Sequence, residues 1–150
     1  MQSRGFSSTD TARIAWMGSG QLPNPQVTGE WVTQQWVHFL EGMGDTLTVE
    51  QLAQLDKAYQ FTGTANGEIA MRWYPLTVRS GYVEARPAIA AFIERVGRRK
   101  LIMPIYEELV KTPDGLAFAQ ESFARARPGY HPITTASVEA LLAKSAPAAR

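Results

Sequence analysis

Between residues 29 and 144 the apolar positions recur with a helical period, and the two-residue alternation of a strand is nearly absent. Val32, Trp36, Phe39, Leu40 and Met43 fall at i, i+4, i+7, i+8 and i+11, which is one face of a helix. The run "GMGD" ends it, with glycine available for a left-handed terminus. Thr48 and Gln51 have the spacing of a capping box ahead of Leu52, Leu55 and Tyr59. A third helix carries Ile69, Trp73 and Leu76 on one face and Met71, Tyr74 and Val78 on another. Apolar residues on two faces predict burial between neighbours. Pro75 lies inside that pattern and predicts a kink or a late start.

Ala85, Ile89, Phe92, Ile93 and Val96 form the next pattern, with Pro87 in its first turn. Ile102, Ile105, Tyr106 and Leu109 follow, with Pro104 placed near that helix's start. Leu116, Ala119, Gln120 and Phe123 come after "KTPDG", and Val138, Leu141 and Leu142 define a short last helix. About seven helices joined by short connections predict an all-α fold of stacked antiparallel pairs. A compact irregular bundle is the plainer alternative. Residues 1–12 read as a disordered tail or the edge of a truncated reading frame. Residues 13–28 read as an extended linker punctuated by Gly and Pro, and 145–150 as a frayed tail.

Composition narrows the chemistry. The 150 residues carry 15 Lys+Arg against 14 Asp+Glu, a net charge of +1, so any charge-based function is local. Nucleic acid and acidic membrane are not expected partners. Cysteine is absent, which excludes disulfides and thiolate chemistry. No apolar run reaches the roughly 20 residues that span a bilayer. The two histidines, His38 and His131, are far apart and lack the HExxH spacing, so no metal site is expected in this chain. His38 reads as a hydrogen-bonded or surface side chain, and His131 in "YHP" as a residue that closes a turn or caps a helix. No G-x-S-x-G elbow is present, and "GSGQLP" is not a phosphate loop. Glu107 and Glu108 point different ways on one helix and read as a solvated face.

One local feature stands apart. In "ERVGRRKLIMP" three cations, Arg98, Arg99 and Lys100, follow Gly97 at the start of a helix. There the helix dipole is positive and disfavours each exposed cation by roughly 0.3–1 kcal/mol. A bound anion would reverse that sign, because helix amides and an Arg fork together suit a carboxylate or phosphate. From the charges alone an ordinary solvated helix end and an anion seat both stay open, the helix end being the commoner case.

The stretches "WMGSGQLP" (16–23), "NGEIAMRW" (66–73), "RVGRRKLIMPIYEEL" (95–109) and "YHPIT" (130–134), in that order, resemble the C-terminal helical domain of leukotriene-A(4) hydrolase and its aminopeptidase relatives, including aminopeptidase B. The likeness covers roughly residues 13–144. It implies a two-layer right-handed helical coil like armadillo and HEAT stacks. It also implies a non-catalytic domain that closes one side of the substrate channel of a zinc aminopeptidase. In that family the zinc ligands and the strand that holds the substrate's amino end lie in a separate catalytic domain. The resemblance therefore implies no cofactor in this chain, and the chain alone is expected to be inactive. It implies that domain and a peptide carboxylate as partners, and favours the cytoplasm. A Gly-Arg-x-Lys stretch holds the carboxylate in the family. Here it is Gly97-Arg98-Arg99-Lys100, with Arg98 as the main fork and Lys100 as a second charge. Arg99 falls where the family often has an apolar residue. A stand-alone helical-repeat module that binds a protein or peptide is the alternative function.

Overall fold

A computed structural model describes residues 4–145. Among them the secondary structure is helical throughout: α1 (Arg4–Ser19), the single turn α2 (Pro25–Thr28), α3 (Thr33–Glu41), α4 (Val49–Tyr59), α5 (Gly67–Ser80), α6 (Arg86–Arg95), α7 (Arg99–Leu109), α8 (Pro113–Ala126) and α9 (Pro132–Ser145). Two 3₁₀ turns, Val83–Ala85 and Arg127–Gly129, lead into α6 and follow α8.

The helices alternate between two layers. In one layer α1, α3, α5, α7 and α9 pack in a row, each on the next, with α5 against α7 the most extensive pairing. In the other, α6 packs on α8, and α8 reaches across to α7 and α9. α4 precedes them: Gln54 accepts a 2.9 Å hydrogen bond from Trp16 Nε1 of α1, and Asp56 accepts a 2.9 Å bond from Tyr82. Between the layers lies one continuous core that includes Trp16, Phe39, Leu52, Trp73, Tyr74, Phe92, Ile102 and Tyr106.

α5 buries Ile69, Trp73 and Leu76 of its first predicted face and Tyr74 of its second, while Met71 and Val78 of the second are only partly buried against the core. Asn66 caps it, its side chain accepting from the amides of Glu68 at 3.0 Å and Ile69 at 3.3 Å. α5 starts at Gly67 and runs through Pro75, so the helix does not begin late. α4 begins with the expected capping box: Thr48 Oγ1 accepts from Gln51 N, and Gln51 Oε1 accepts from Thr48 N.

Several expectations are corrected. The tail and linker over residues 1–28 give way to α1 and the turn α2; residues 1–3 lie outside the described residues. α1 buries Thr9, Ala12 and Trp16, a stripe at i, i+3 and i+7 in which only one residue is large and apolar. It is fixed to α3 by His38 Nε2, 2.9 Å from Asp10 Oδ1, and to the chain before α3 by Trp31 Nε1 donating to Ser8. Val32 is not on the core stripe of α3 but caps its start, 62% exposed. Gly42 ends α3 in the right-handed region, and the positive φ belongs to Gly44. Pro104 is interior to α7, not near its start, because α7 begins five residues earlier, at Arg99. Its missing N–H leaves the Lys100 carbonyl without an intrahelical donor. The last helix is 14 residues long, not short, and Ser145 belongs to it; the rest of the expected frayed tail lies outside the described residues.

Candidate functional site

The three cations are placed by the junction between α6 and α7. α6 ends at Arg95, with Val96 N donating to Phe92 O at 2.8 Å. The chain leaves the helix through an extended Val96, passes Gly97, and reaches Arg98, the N-cap of α7, again in extended form. The Arg98 side chain makes no capping hydrogen bond, and no acidic residue lies in the first turn. Leu101 N and Ile102 N both turn back to Arg98 O, at 2.9 and 3.2 Å. The amides of Arg99 and Lys100, at the first two helical positions, have no intrahelical acceptor by geometry. The helix start therefore presents donors and positive charge together.

The sequence groups Arg98, Arg99 and Lys100, but the structure sends them to different neighbours. Arg99 Nε donates to Ser137 Oγ of α9 at 2.8 Å, which draws its guanidinium toward α9. Lys100 Nζ lies 3.0 Å from Glu68 Oε2, on the α5 side. Glu68 also meets Arg72, with Oε1 2.9 Å from Nη1, and Arg72 Nε is 3.3 Å from Glu41 Oε2. Lys100 and then Arg72 hold the Glu68 carboxyl below its ordinary range. Arg98 is exposed, and its side chain has no hydrogen bond or ion pair among the described residues.

The backbone that carries Arg98 is held from α9 and from the residue that ends the 3₁₀ turn before it. Tyr130 is buried, and its hydroxyl donates to Ile93 O of α6 at 2.8 Å. That carbonyl is among the last four of the helix, which have no intrahelical donor. The same hydroxyl is 3.1 Å from Tyr106 OH of α7. Burial raises the pKa of Tyr106 well above its ordinary value and pushes Tyr130 up to about 12. Thr134 Oγ1 donates to Gly97 O at 3.4 Å. His131 caps α9 as expected, its Nδ1 accepting from Ile133 N at 3.1 Å. The stretch "YHPIT" is thus the platform under "GRRK". Glu68, Tyr130, Thr134 and Ser137 were not singled out from the sequence as site residues. They come from 32 to 38 residues away, and only the closeness of the motifs in the fold reveals them.

A cleft of about 370 Å³ opens between α3, α5 and α7, lined by Met71, Arg72, Pro75, Arg79, Pro104 and Glu108 among others. Arg72 belongs to both the cleft and the ion-pair chain that ends at Lys100. Among the described residues no group of three or more His, Cys, Asp or Glu side chains is arranged to hold a metal ion. These residues therefore offer no fit for a zinc ion. No described helix is long and apolar enough to cross a membrane.

A two-layer all-α stack with an uncapped, basic helix start at α7 defines a helical domain of the stacked-pair class. The chain belongs to the leukotriene A4 hydrolase C-terminal family, whose model matches residues 31–142. It is 32% identical over 127 residues to a leucine aminopeptidase 2 of Neurospora crassa, an alignment that covers 83% of this chain and 19% of that protein. It is 28% identical over 127 residues to a leukotriene A-4 hydrolase homolog of Botryotinia fuckeliana, covering 83% and 19%. With the leukotriene A-4 hydrolase of Xenopus laevis it shares 29% over 98 residues, covering 65% and 15%. The chain spans about a fifth of the length of the curated relatives it matches.

Proposed function

We propose that this chain serves as the non-catalytic C-terminal domain of a zinc aminopeptidase of the leukotriene A4 hydrolase type. It closes one side of the substrate channel and receives the free carboxylate of a peptide at the start of α7. The zinc and the reacting groups belong to a catalytic domain that is its partner, and no catalytic step is assigned to this chain. Arg98 is the carboxylate fork, supported by the amides of Arg99 and Lys100. Lys100 adds positive charge while it is paired with Glu68. Arg99 serves the site by tying α7 to α9 through Ser137.

The observation that carries this reading is the contrast at one helix start. The surrounding backbone is tied down by Tyr130 and Thr134, and Arg99 and Lys100 are engaged. Arg98, at the N-cap itself, has no internal partner. An anion there would satisfy the guanidinium and the two free amides at once.

The test joins the chain to a catalytic domain of the family and measures tripeptide hydrolysis with Arg98→Ala. Loss of a charged hydrogen bond, about 1.5–3 kcal/mol, lowers kcat/KM by roughly 10- to 150-fold. A tripeptide amide, which lacks the carboxylate, should be hydrolysed equally by both proteins. An unchanged kcat/KM for the free-acid tripeptide sinks the assignment.

A further inference from the structure

We propose that the cavity walled by Trp36, Tyr59 and Phe61 is a docking site for a proline-rich segment of another chain, bound in the polyproline II conformation. The proposal is independent of the carboxylate seat and makes no use of Arg98.

The chain carries four tryptophans and five tyrosines. Three indole N–H groups donate internally: Trp16 to Gln54 at 2.9 Å, Trp31 to Ser8 at 3.3 Å and Trp73 to Thr62 at 3.1 Å. Four phenol hydroxyls are likewise engaged, Tyr74 with Gly63 N, Tyr82 with Asp56, and Tyr106 and Tyr130 with each other. Trp36 Nε1 and Tyr59 OH alone have no partner among the described residues. Neither is a buried orphan, so both open to solvent. These two side chains stand together, with ring centroids 4.8 Å apart, and both line one cavity of about 360 Å³.

The local backbone builds this cavity. Gln60 ends α4 with φ 56°, the only positive φ on a non-glycine among the described residues. Backbone strain of this kind persists only where its surroundings hold it, and it clusters at binding sites. The turn it makes sets its neighbours Tyr59 and Phe61 with ring centroids 5.6 Å apart. Trp36 of α3 meets them at 4.8 and 5.6 Å, and the three ring planes are inclined by 50° to 79°. They form walls rather than a stack. Phe61 is buried, while Trp36 and Tyr59 are half-buried. Trp31 and Phe39 back Trp36 at 4.6 and 6.0 Å, so its ring is positioned before any ligand arrives.

No acidic, basic or histidine side chain lines the cavity, so it offers nothing to an ion-paired ligand. A cation over the rings would have no carboxylate to hold it and would leave both donors unused. Burial raises the pKa of Tyr59, which keeps that donor protonated. The chemistry calls for a neutral ligand with ring-sized apolar groups and free acceptors. A polyproline II segment has all three: its pyrrolidine rings fit between aromatic side chains, and its backbone carbonyls have no internal donor. Its stiffness also lowers the entropy lost on binding. The closest pair of prolines in this chain is Pro23 and Pro25, and Pro25 already lines the cavity. The occupant therefore comes from another chain.

The test titrates the full 150-residue chain with acetylated, amidated hexaproline and follows the four indole N–H resonances. That of Trp36 should shift saturably, and further than those of Trp16, Trp31 and Trp73. A flexible Gly-Ser peptide of equal length should bind far more weakly. Tyr59→Phe keeps the ring and removes a hydroxyl with no internal partner, so the melting temperature should stay the same. Its affinity for hexaproline should fall about 2- to 13-fold, the worth of one hydrogen bond. Trp36→Phe removes the other donor and should lower the affinity at least as much; if that variant does not fold, Tyr59→Phe decides alone. The proposal fails if hexaproline leaves the Trp36 indole unmoved, if the folded variants bind it as tightly as the unaltered protein, or if the Gly-Ser peptide binds equally well. Saturable binding of tetramethylammonium without binding of hexaproline would assign the cavity to a cation and overturn the proline reading.

Discussion

Replacing Tyr130 with Phe removes one oxygen and should cost far more than a surface change. The hydroxyl has a single proton, which it gives to Ile93 O at 2.8 Å. Tyr106 OH, 3.1 Å away, must therefore be the donor in the pair between the two tyrosines. Tyr130→Phe breaks both bonds. It orphans the Ile93 carbonyl at the end of α6 and the hydroxyl of Tyr106, which is fully buried. Each lost bond is worth about 0.5–1.5 kcal/mol, and a buried group left unpaired raises the cost toward 1–3 kcal/mol. The sum is about 2–4 kcal/mol, with no cavity term because the ring remains. Tyr106→Phe removes only one bond and leaves Tyr130 engaged with Ile93, so it should cost about 0.5–1.5 kcal/mol. In the double variant no hydroxyl is stranded, and the total should fall short of the sum by about 1 kcal/mol. Urea unfolding of the four proteins, followed by far-ultraviolet circular dichroism, measures all three quantities. Equal costs for the two single variants, or strict additivity, would refute this assignment of donors. The proposed carboxylate seat gives a second readout, since Tyr130 also packs on Gly97, where an added Cβ would lie 3.4 Å from its ring.

Two further outcomes follow from the packing. Gly115→Ala should destabilise the fold by at least about 1–3 kcal/mol, because a Cβ there would fall deep within the Leu109 carbonyl oxygen, and backbone cannot step aside as a side chain can; an unchanged melting temperature would contradict the closeness of α7 and α8. Alkaline pH should also unfold the protein, since Tyr82 and Tyr130 are both pushed up to about 12 from an ordinary 10.0, and burial raises Tyr74 and Tyr106 as well. These groups bind their protons more tightly when folded, so their contribution is complete below pH 10 and is lost as pH rises through about 12. Phenolate absorbance should appear together with loss of helix; phenolate forming at pH 10 in a protein still fully helical would show these hydroxyls are not buried.

The helices legible in the sequence were those whose stripes are made of large apolar residues. Leu52 with Leu55, Ile69 with Trp73, and Ile89 with Phe92 and Ile93 all lie in the core as their spacing predicts. α1 was not legible because its buried face is Thr9, Ala12 and Trp16, and its hold on the fold comes from polar contacts to Trp31 and His38. Pro104 misled because proline usually marks a helix's first turn, whereas α7 is embedded among α5, α8 and α9, and tertiary packing keeps the helix intact through it. For the site, the cluster and its place at a helix start could be read directly. That two of its three cations are already engaged could not, because Glu68 and Ser137 are 32 and 38 residues distant and neither has a local signature.

The isolation of Arg98 also limits what this chain does by itself. Its guanidinium is exposed and unanchored, so binding an anion must first order a side chain that carries about 2 kcal/mol of rotamer entropy. A charged hydrogen bond worth about 1.5–3 kcal/mol is only slightly larger. In isolation the seat is therefore a millimolar or weaker binder of a simple carboxylate. The balance changes if the ligand's other end is fixed elsewhere, because the second contact then becomes intramolecular. In that setting its worth lies in register. A carboxylate fixed on Arg98 defines how far the rest of a peptide reaches, and the ties from Tyr130, Thr134, Ser137 and Glu68 keep that distance constant by holding the helix start still. A seat of this kind measures a ligand more than it captures one, as the proposed role beside a separate catalytic domain requires.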